Sequence, residues 1–225
     1  MNSLKKNIKK VIPEPVTLGY RAFINFFNYI FNPNKTVVLI MSSQRSGSTL
    51  LKSLLAEAED ISHLPEISYW KNIGNKYDLY ARACKLAKER IVVLKSPFHS
   101  SILKNEYIID DMERLKIIIL VRHIYGVVDS MLRMDQKVGQ KAKDQIARTK
   151  TYIKYWTDCY QKILNVAKKI PKKRIKIVKY EDLLTNPIKE TKDLFQYLGS
   201  RQLSGVDTYH KPKDFEWNWG IDDGS

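Results

Sequence analysis

The chain reads as an α/β domain with a mainly parallel central sheet flanked by helices, and three observations carry that reading. Continuous apolar runs at Val37 to Met41, Ile91 to Leu94 and Ile117 to Val121 are the pattern of strands buried on both faces. Stretches with apolar residues at helical spacing lie between and after them. Each run ends in a short polar or basic segment, the kind of loop that gathers ligands at the carboxyl edge of an open α/β sheet.

Residues 1–34 form an N-terminal extension, expected to be helical and amphipathic, ahead of a main domain over 35–225. Its first part sets Lys5, Lys6, Lys9 and Lys10 beside Leu4, Ile8 and Ile12, a basic segment suited to an anionic lipid surface. After Pro13 and Pro15, the residues Leu18, Ala22, Phe23, Phe26, Phe27 and Ile30 share one side of a helix. The simpler expectation for that side is packing on the domain.

The first run leads into Ser43-Gln44-Arg45-Ser46-Gly47-Ser48-Thr49, and a helix follows from Leu50. Leu51, Leu54, Leu55 and Ala58 face inward on it, while Lys52, Glu57 and Glu59 are expected to stay in water. Strand, small-residue loop and helix in that order aim backbone N–H groups and the positive helix end at an anion. The nucleotide-hydrolase motif GxxxxGK[ST] is not met, because Ser48 stands where its Lys would be. ATP with magnesium is therefore a poor fit.

Ile61 to Glu66 reads as an irregular connection broken by Pro65, with His63 and Glu66 as candidate acid/base groups. The second run ends in Lys95-Ser96-Pro97-Phe98-His99 and the third in Arg122-His123, with a helix from about Tyr125 to Met134 that holds Ser130. Arg45, Lys95 and Arg122 thus bring three cations to one sheet edge, which implies a polyanion site there. Residues 142 to 168 make one long helix with Ile146, Ile153, Trp156, Tyr160, Ile163 and Ala167 on its packed side. Arg174 to Tyr180 alternates like a half-buried strand. Asn186 and Pro187 then open a helix whose face is Ile188, Thr191, Leu194, Phe195 and Leu198, and Gly199 stops it.

The totals narrow the partners. Lys and Arg outnumber Asp and Glu by 39 to 24, a net charge of +15, so nucleic acid, an anionic membrane surface or small multiply charged ligands are favoured. No nucleic-acid motif accompanies that charge, and the basic residues spread over several helices rather than one stripe. Nucleic acid is not an expected partner. Cys84 and Cys159 lack metal-ligand spacing, so neither a disulfide framework nor a metal site is expected. A Lys-rich start interrupted by prolines is no signal peptide, and a cytoplasmic protein, in places touching the membrane, is the expectation.

Four segments, SSQRSGSTLL at 42 to 51, VLKSPFH at 93 to 99, IILVRHIYGVVDSML at 118 to 132 and VKYEDLLTNP at 178 to 187, resemble the sulfotransferases that use 3′-phosphoadenosine 5′-phosphosulfate (PAPS). The resemblance implies a three-layer P-loop-like fold and sulfuryl transfer to an acceptor hydroxyl, with adenosine 3′,5′-bisphosphate (PAP) as the other product. It implies Arg45, Ser46, Gly47, Ser48 and Thr49 around the 5′-phosphosulfate, Arg122 and Ser130 at the 3′-phosphate, and Tyr180 near the adenine. RSGSTLL is closer to the tyrosylprotein and bacterial carbohydrate enzymes, which use a Glu after the first helix as base, than to the cytosolic ones. Glu66 stands at about that place, with Arg45 and Lys95 expected to neutralise developing charge. The cytosolic enzymes' catalytic His position reads Pro97 here, and His99 lies two residues beyond. The family's late GxxGxxK segment is missing, with Lys211 or Lys213 as substitutes. The acceptor implied is a carbohydrate, glycolipid or phenol hydroxyl. A P-loop-type nucleotide kinase, a basic nucleic-acid-binding protein and a non-catalytic member of the same fold are the alternatives.

Overall fold

The computed structural model describes residues 23, 24, 26, 30, 31, 34–62, 76–95, 114–137 and 145–210. Glu66, His63, His99, Lys211 and Lys213 lie outside the described residues, as do the lysines at the start of the chain.

Among the described residues, four parallel strands make the sheet: β1 (Thr36–Met41), β2 (Ile91–Lys95), β3 (Leu115–Val121) and β4 (Ile175–Lys179), in the order β2-β1-β3-β4. The register pairs Val38 with Val93 and Lys116, and Ile119 with Ile177. The apolar runs read from the sequence are β1, β2 and β3 of this sheet. Their continuity has a simple cause, since β1 and β2 are buried on both faces along nearly their whole length.

Among the described residues, the helices around the sheet are α1 (Ser48–Leu55), α2 (Lys76–Leu86), α3 (Ile124–Lys137), α4 (Gln145–Ala167), α5 (Tyr180–Thr185) and α6 (Pro187–Leu198). On one face of the sheet, Val37, Leu39, Ile117 and Ile119 pack with Tyr80 and Ala83 of α2 and with Tyr160, Ile163 and Val166 of α4. On the other, Val38, Ile40, Ile118 and Leu120 pack with Leu51, Leu54 and Leu55 of α1, Leu183 of α5 and Phe195 of α6. Alternate strand residues therefore feed two separate cores, and the fold is a three-layer α/β sandwich.

Several expectations are corrected at side-chain level. Lys52 is not in water but 1% exposed, because the first turns of α1 are enclosed on more than the Leu51–Leu55 side. Ile146 and Ile153 are exposed, since the buried stripe of α4 is Cys159, Tyr160, Ile163 and Val166 and its N-terminal half meets α3 rather than the sheet. That half is held by polar contacts, with Tyr152 and Arg148 both on the Asp135 carboxylate of α3. Ile188 is exposed, and the α6 face is Thr191, Leu194, Phe195 and Leu198. Gly199 ends α6 in the left-handed conformation, φ 74°, as its position predicts. Tyr180 opens α5 instead of closing β4.

Candidate functional site

In a sheet ordered β2-β1-β3-β4 the connection after β1 runs to β2 on one side and the connection after β3 runs to β4 on the other, so a crevice opens at the carboxyl ends of β1 and β3. The loop after β1 and Arg122 after β3 flank it. Gly47 directly precedes α1 with φ 81°, and no side chain caps the helix. The first-turn N–H groups of an α-helix have no intrahelical acceptor, and an anion would satisfy them.

Glycine at 47 is demanded twice. Its φ is left-handed, and a Cβ there would sit 2.2 Å from Cε2 and 2.3 Å from Cδ2 of Tyr180. The buried Tyr180 ring is thus the floor of the loop. On that ring stacks the Arg122 guanidinium, its Cζ 4.4 Å from the centroid. A Cβ on Gly126 would come 2.9 Å from Arg122 Nε, so the first turn of α3 is also shaped to admit this arginine.

The two strand ends are joined directly. Arg122 donates from Nη1 to the Arg45 carbonyl at 3.0 Å, and Arg45 donates from Nε to Ser130 Oγ at 2.9 Å. Ser130 is 2% exposed. Arg45 has φ 61°, a left-handed backbone in a residue other than Gly, the strain typical of functional loops. Lys95, buried at the end of β2, donates from Nζ to Thr49 Oγ1 at 2.5 Å in the first turn of α1. Arg45, Lys95 and Arg122 therefore reach one loop from three strand ends, as their positions in the sequence imply.

Sequence reasoning missed the face that holds this loop from behind. Tyr160 donates its hydroxyl to the Leu120 carbonyl at 2.7 Å and lies 3.3 Å from Ser46 Oγ, which pairs with Ser43 Oγ at 2.5 Å. Tyr155 accepts from the Gln44 N–H at 3.2 Å, and Trp156 donates from Nε1 to the Arg122 carbonyl at 3.2 Å. Burial raises the Tyr160 and Tyr155 phenols above their ordinary pKa, so both stay neutral donors and acceptors. Burial likewise pushes the Cys159 thiol up to about 11. Trp156 and Tyr160 read correctly as packed residues, but only the fold reveals that their polar ends meet the loops. Glu181 accepts from the His123 N–H at 2.9 Å.

A family model described as "Sulfotransferase family" matches residues 69–202. Among solved structures, the sulfotransferase domain of the Synechococcus PCC 7002 olefin synthase is similar at 23% identity and TM-score 0.58, over 74% of each chain. A sulfotransferase from Alicyclobacillus acidocaldarius is similar at 13% identity and TM-score 0.59, over 80% of this chain and 87% of that one. A mouse sulfotransferase solved as a complex with PAP is similar at 14% identity and TM-score 0.50, over 75% of this chain and 60% of that one. These likenesses bear on the fold, which is the P-loop-like one. No significant match was found among curated protein sequences.

Proposed function

The chain belongs to the sulfotransferase family, and from that premise we propose that it moves a sulfuryl group from PAPS to an acceptor hydroxyl. The observation that carries the proposal is the connection of two anion-binding strand ends through one loop, Arg122 to the Arg45 carbonyl and the Arg45 side chain to Ser130. A donor with phosphate groups at its 5′ and 3′ positions needs two such places at a fixed separation. Ser46, Gly47, Ser48 and Thr49 form the cradle for the 5′-phosphosulfate at the start of α1. Arg122 and Ser130 hold the 3′-phosphate, and the Tyr180 ring supports Arg122 in front of it.

In the proposed reaction the acceptor oxygen forms a bond to sulfur as the bond from sulfur to the 5′-phosphate oxygen breaks. The acceptor proton goes to the Glu66 carboxylate, and the electron pair of the broken bond stays on PAP. Arg45 and Lys95 neutralise the charge gathering on the leaving phosphate, the kind of electrostatic help that matters most in such transfers. The acceptor we favour is a carbohydrate or glycolipid hydroxyl, with a phenol as the other candidate.

Sulfur-labelled PAPS incubated with the protein and each acceptor class tests the reading. Label should pass to a carbohydrate, and no transfer to any hydroxyl would refute it. Glu66→Gln should lower turnover by roughly 10²–10⁴-fold while leaving PAP affinity intact. Near-full turnover in that variant would move the base to His63 or His99. Arg122→Ala should weaken PAP binding about 10- to 100-fold by calorimetry, the range for a charge-assisted contact.

A further inference from the structure

We propose that α4 sets donor selectivity, with Tyr155 and Trp156 as positioning residues that hold the two phosphate places of a nucleoside 3′,5′-bisphosphate at a fixed separation. This rests on the PAPS reading of the site and adds how the site tells a 3′-phosphorylated donor from an ordinary 5′-nucleotide.

Two rows of side chains on α4 carry it. Residues four apart stand above one another on a helix, and adjacent residues are about 100° apart around it. Tyr155 and Cys159 form one row. The Tyr155 hydroxyl accepts from the Gln44 N–H at 3.2 Å, and the Cys159 thiol lies 3.7 Å from the Ser42 carbonyl. Tyr152, Trp156 and Tyr160 form the other. Tyr152 donates to the Asp135 carboxylate of α3, Trp156 donates from Nε1 to the Arg122 carbonyl at 3.2 Å, and Tyr160 donates to the Leu120 carbonyl at 2.7 Å. The first row therefore meets the loop after β1. The second meets the end of β3 and α3, the helix that carries Ser130.

Direction and spacing match as well. The step from 155 to 159 on α4 goes from 44 back to 42 along the first loop, and the step from 156 to 160 goes from 122 back to 120. α4 thus runs antiparallel to β1 and β3. Four helical residues rise about 6 Å, close to the about 6.6 Å that two residues span at the end of β3. Because α4 is one continuous helix from Gln145 to Ala167, the loop after β1 cannot slide against the end of β3 without breaking the contacts of one row. On the loop and strand side these contacts are made to backbone groups of Gln44, Ser42, Arg122 and Leu120. They fix where the chain passes and take up no guanidinium or hydroxyl of Arg45, Arg122 or Ser130.

The two positions then have separable effects. Trp156 holds the 3′ place and Tyr155 the 5′ place, so loss of the indole N–H is felt by a ligand with a 3′-phosphate and not by one without. The Tyr160 hydroxyl also lies 3.3 Å from Ser46 Oγ and serves both places, which makes it unsuited to separating them.

Calorimetric titration of the full-length protein with PAP and with adenosine 5′-monophosphate tests the proposal. Wild type should bind PAP more tightly. Trp156→Phe keeps a ring against Tyr160, now 4.7 Å away between centroids, and removes the N–H. It should weaken PAP binding roughly 3- to 10-fold, the worth of one hydrogen bond, and leave adenosine 5′-monophosphate within about twofold of wild type. Tyr155→Phe should weaken both ligands by a similar factor, so that their ratio keeps its wild-type value. Titration well below the melting temperature of each variant keeps lost stability out of the comparison. A Trp156→Phe protein that loses both ligands equally, or either variant with wild-type affinity for PAP, would overturn the positioning roles while the donor reading stands. A wild type with no preference for PAP would refute the donor reading and the positioning roles together.

Discussion

Replacing Gly47 by Ala adds one carbon at the most crowded point of the site. Two separate costs follow from the geometry. A left-handed residue with a Cβ costs about 1–2 kcal/mol relative to Gly. The new Cβ would also overlap two Tyr180 ring carbons at 2.2 and 2.3 Å, and no side chain tolerates contacts that short. The ring must move, and the Arg122 guanidinium stacked on it at 4.4 Å moves with it. Overpacking of this kind typically costs a further 1–3 kcal/mol. The expected total is about 2–5 kcal/mol in urea unfolding, with PAP affinity falling beyond tenfold because both anion sites are disturbed together. Tyr180→Ala removes the ring and relieves the overlap but not the backbone strain. In a double-mutant cycle, Gly47→Ala should therefore cost less in the Tyr180→Ala background, with a coupling of about 1–3 kcal/mol. Strict additivity, or a Gly47→Ala protein with wild-type stability and PAP affinity, would refute the account of Tyr180 as the floor of the loop.

Other perturbations have equally definite outcomes. Ser130→Ala removes the acceptor of Arg45 Nε, and PAP titration should show roughly 3- to 10-fold weaker binding with unchanged melting; tighter binding would show that the bond competes with the ligand. Tyr160→Phe leaves the buried Leu120 carbonyl without its donor, which should cost about 1–3 kcal/mol in urea unfolding; full stability would mean that water replaces the hydroxyl. Burial works against ionisation of Asp60, but hydrogen bonds from Ser200, Arg90 and the Arg201 N–H outweigh it and hold the carboxyl below its ordinary range. A carboxylate depressed in the folded state stabilises the protein above its unfolded pKa of about 3.9 and loses that contribution as pH falls through the folded value. Asp60→Asn should consequently lower the melting temperature at pH 7, and the gap should close below about pH 4; a gap independent of pH would sink the assignment.

The outcome at Lys52 shows where periodicity stops being informative. A lysine between Leu51 and Ser53 on an amphipathic helix is read as solvated because that is the common case. Its burial depends on what covers α1 from outside, and no residue within the helix encodes that. The same holds for Ile146 and Ile153, whose spacing matches Trp156 and Tyr160 while the end of the helix carrying them lies against α3.

By itself the sequence determined the strands β1, β2 and β3 and the edge at which Arg45, Lys95 and Arg122 gather. Unbroken apolar runs have few ways to be buried, and residues at strand ends are placed by the strands themselves. It also determined Gly199 as the end of α6, because glycine takes a left-handed backbone without strain. The tertiary structure alone decided how these pieces connect. Arg45 meets Ser130 across 85 residues of chain, the Tyr180 ring reaches Gly47, and the phenol of Tyr160 joins Ser46 to the Leu120 carbonyl. Such contacts depend on side-chain length and direction across elements distant in sequence, and no local spacing records them.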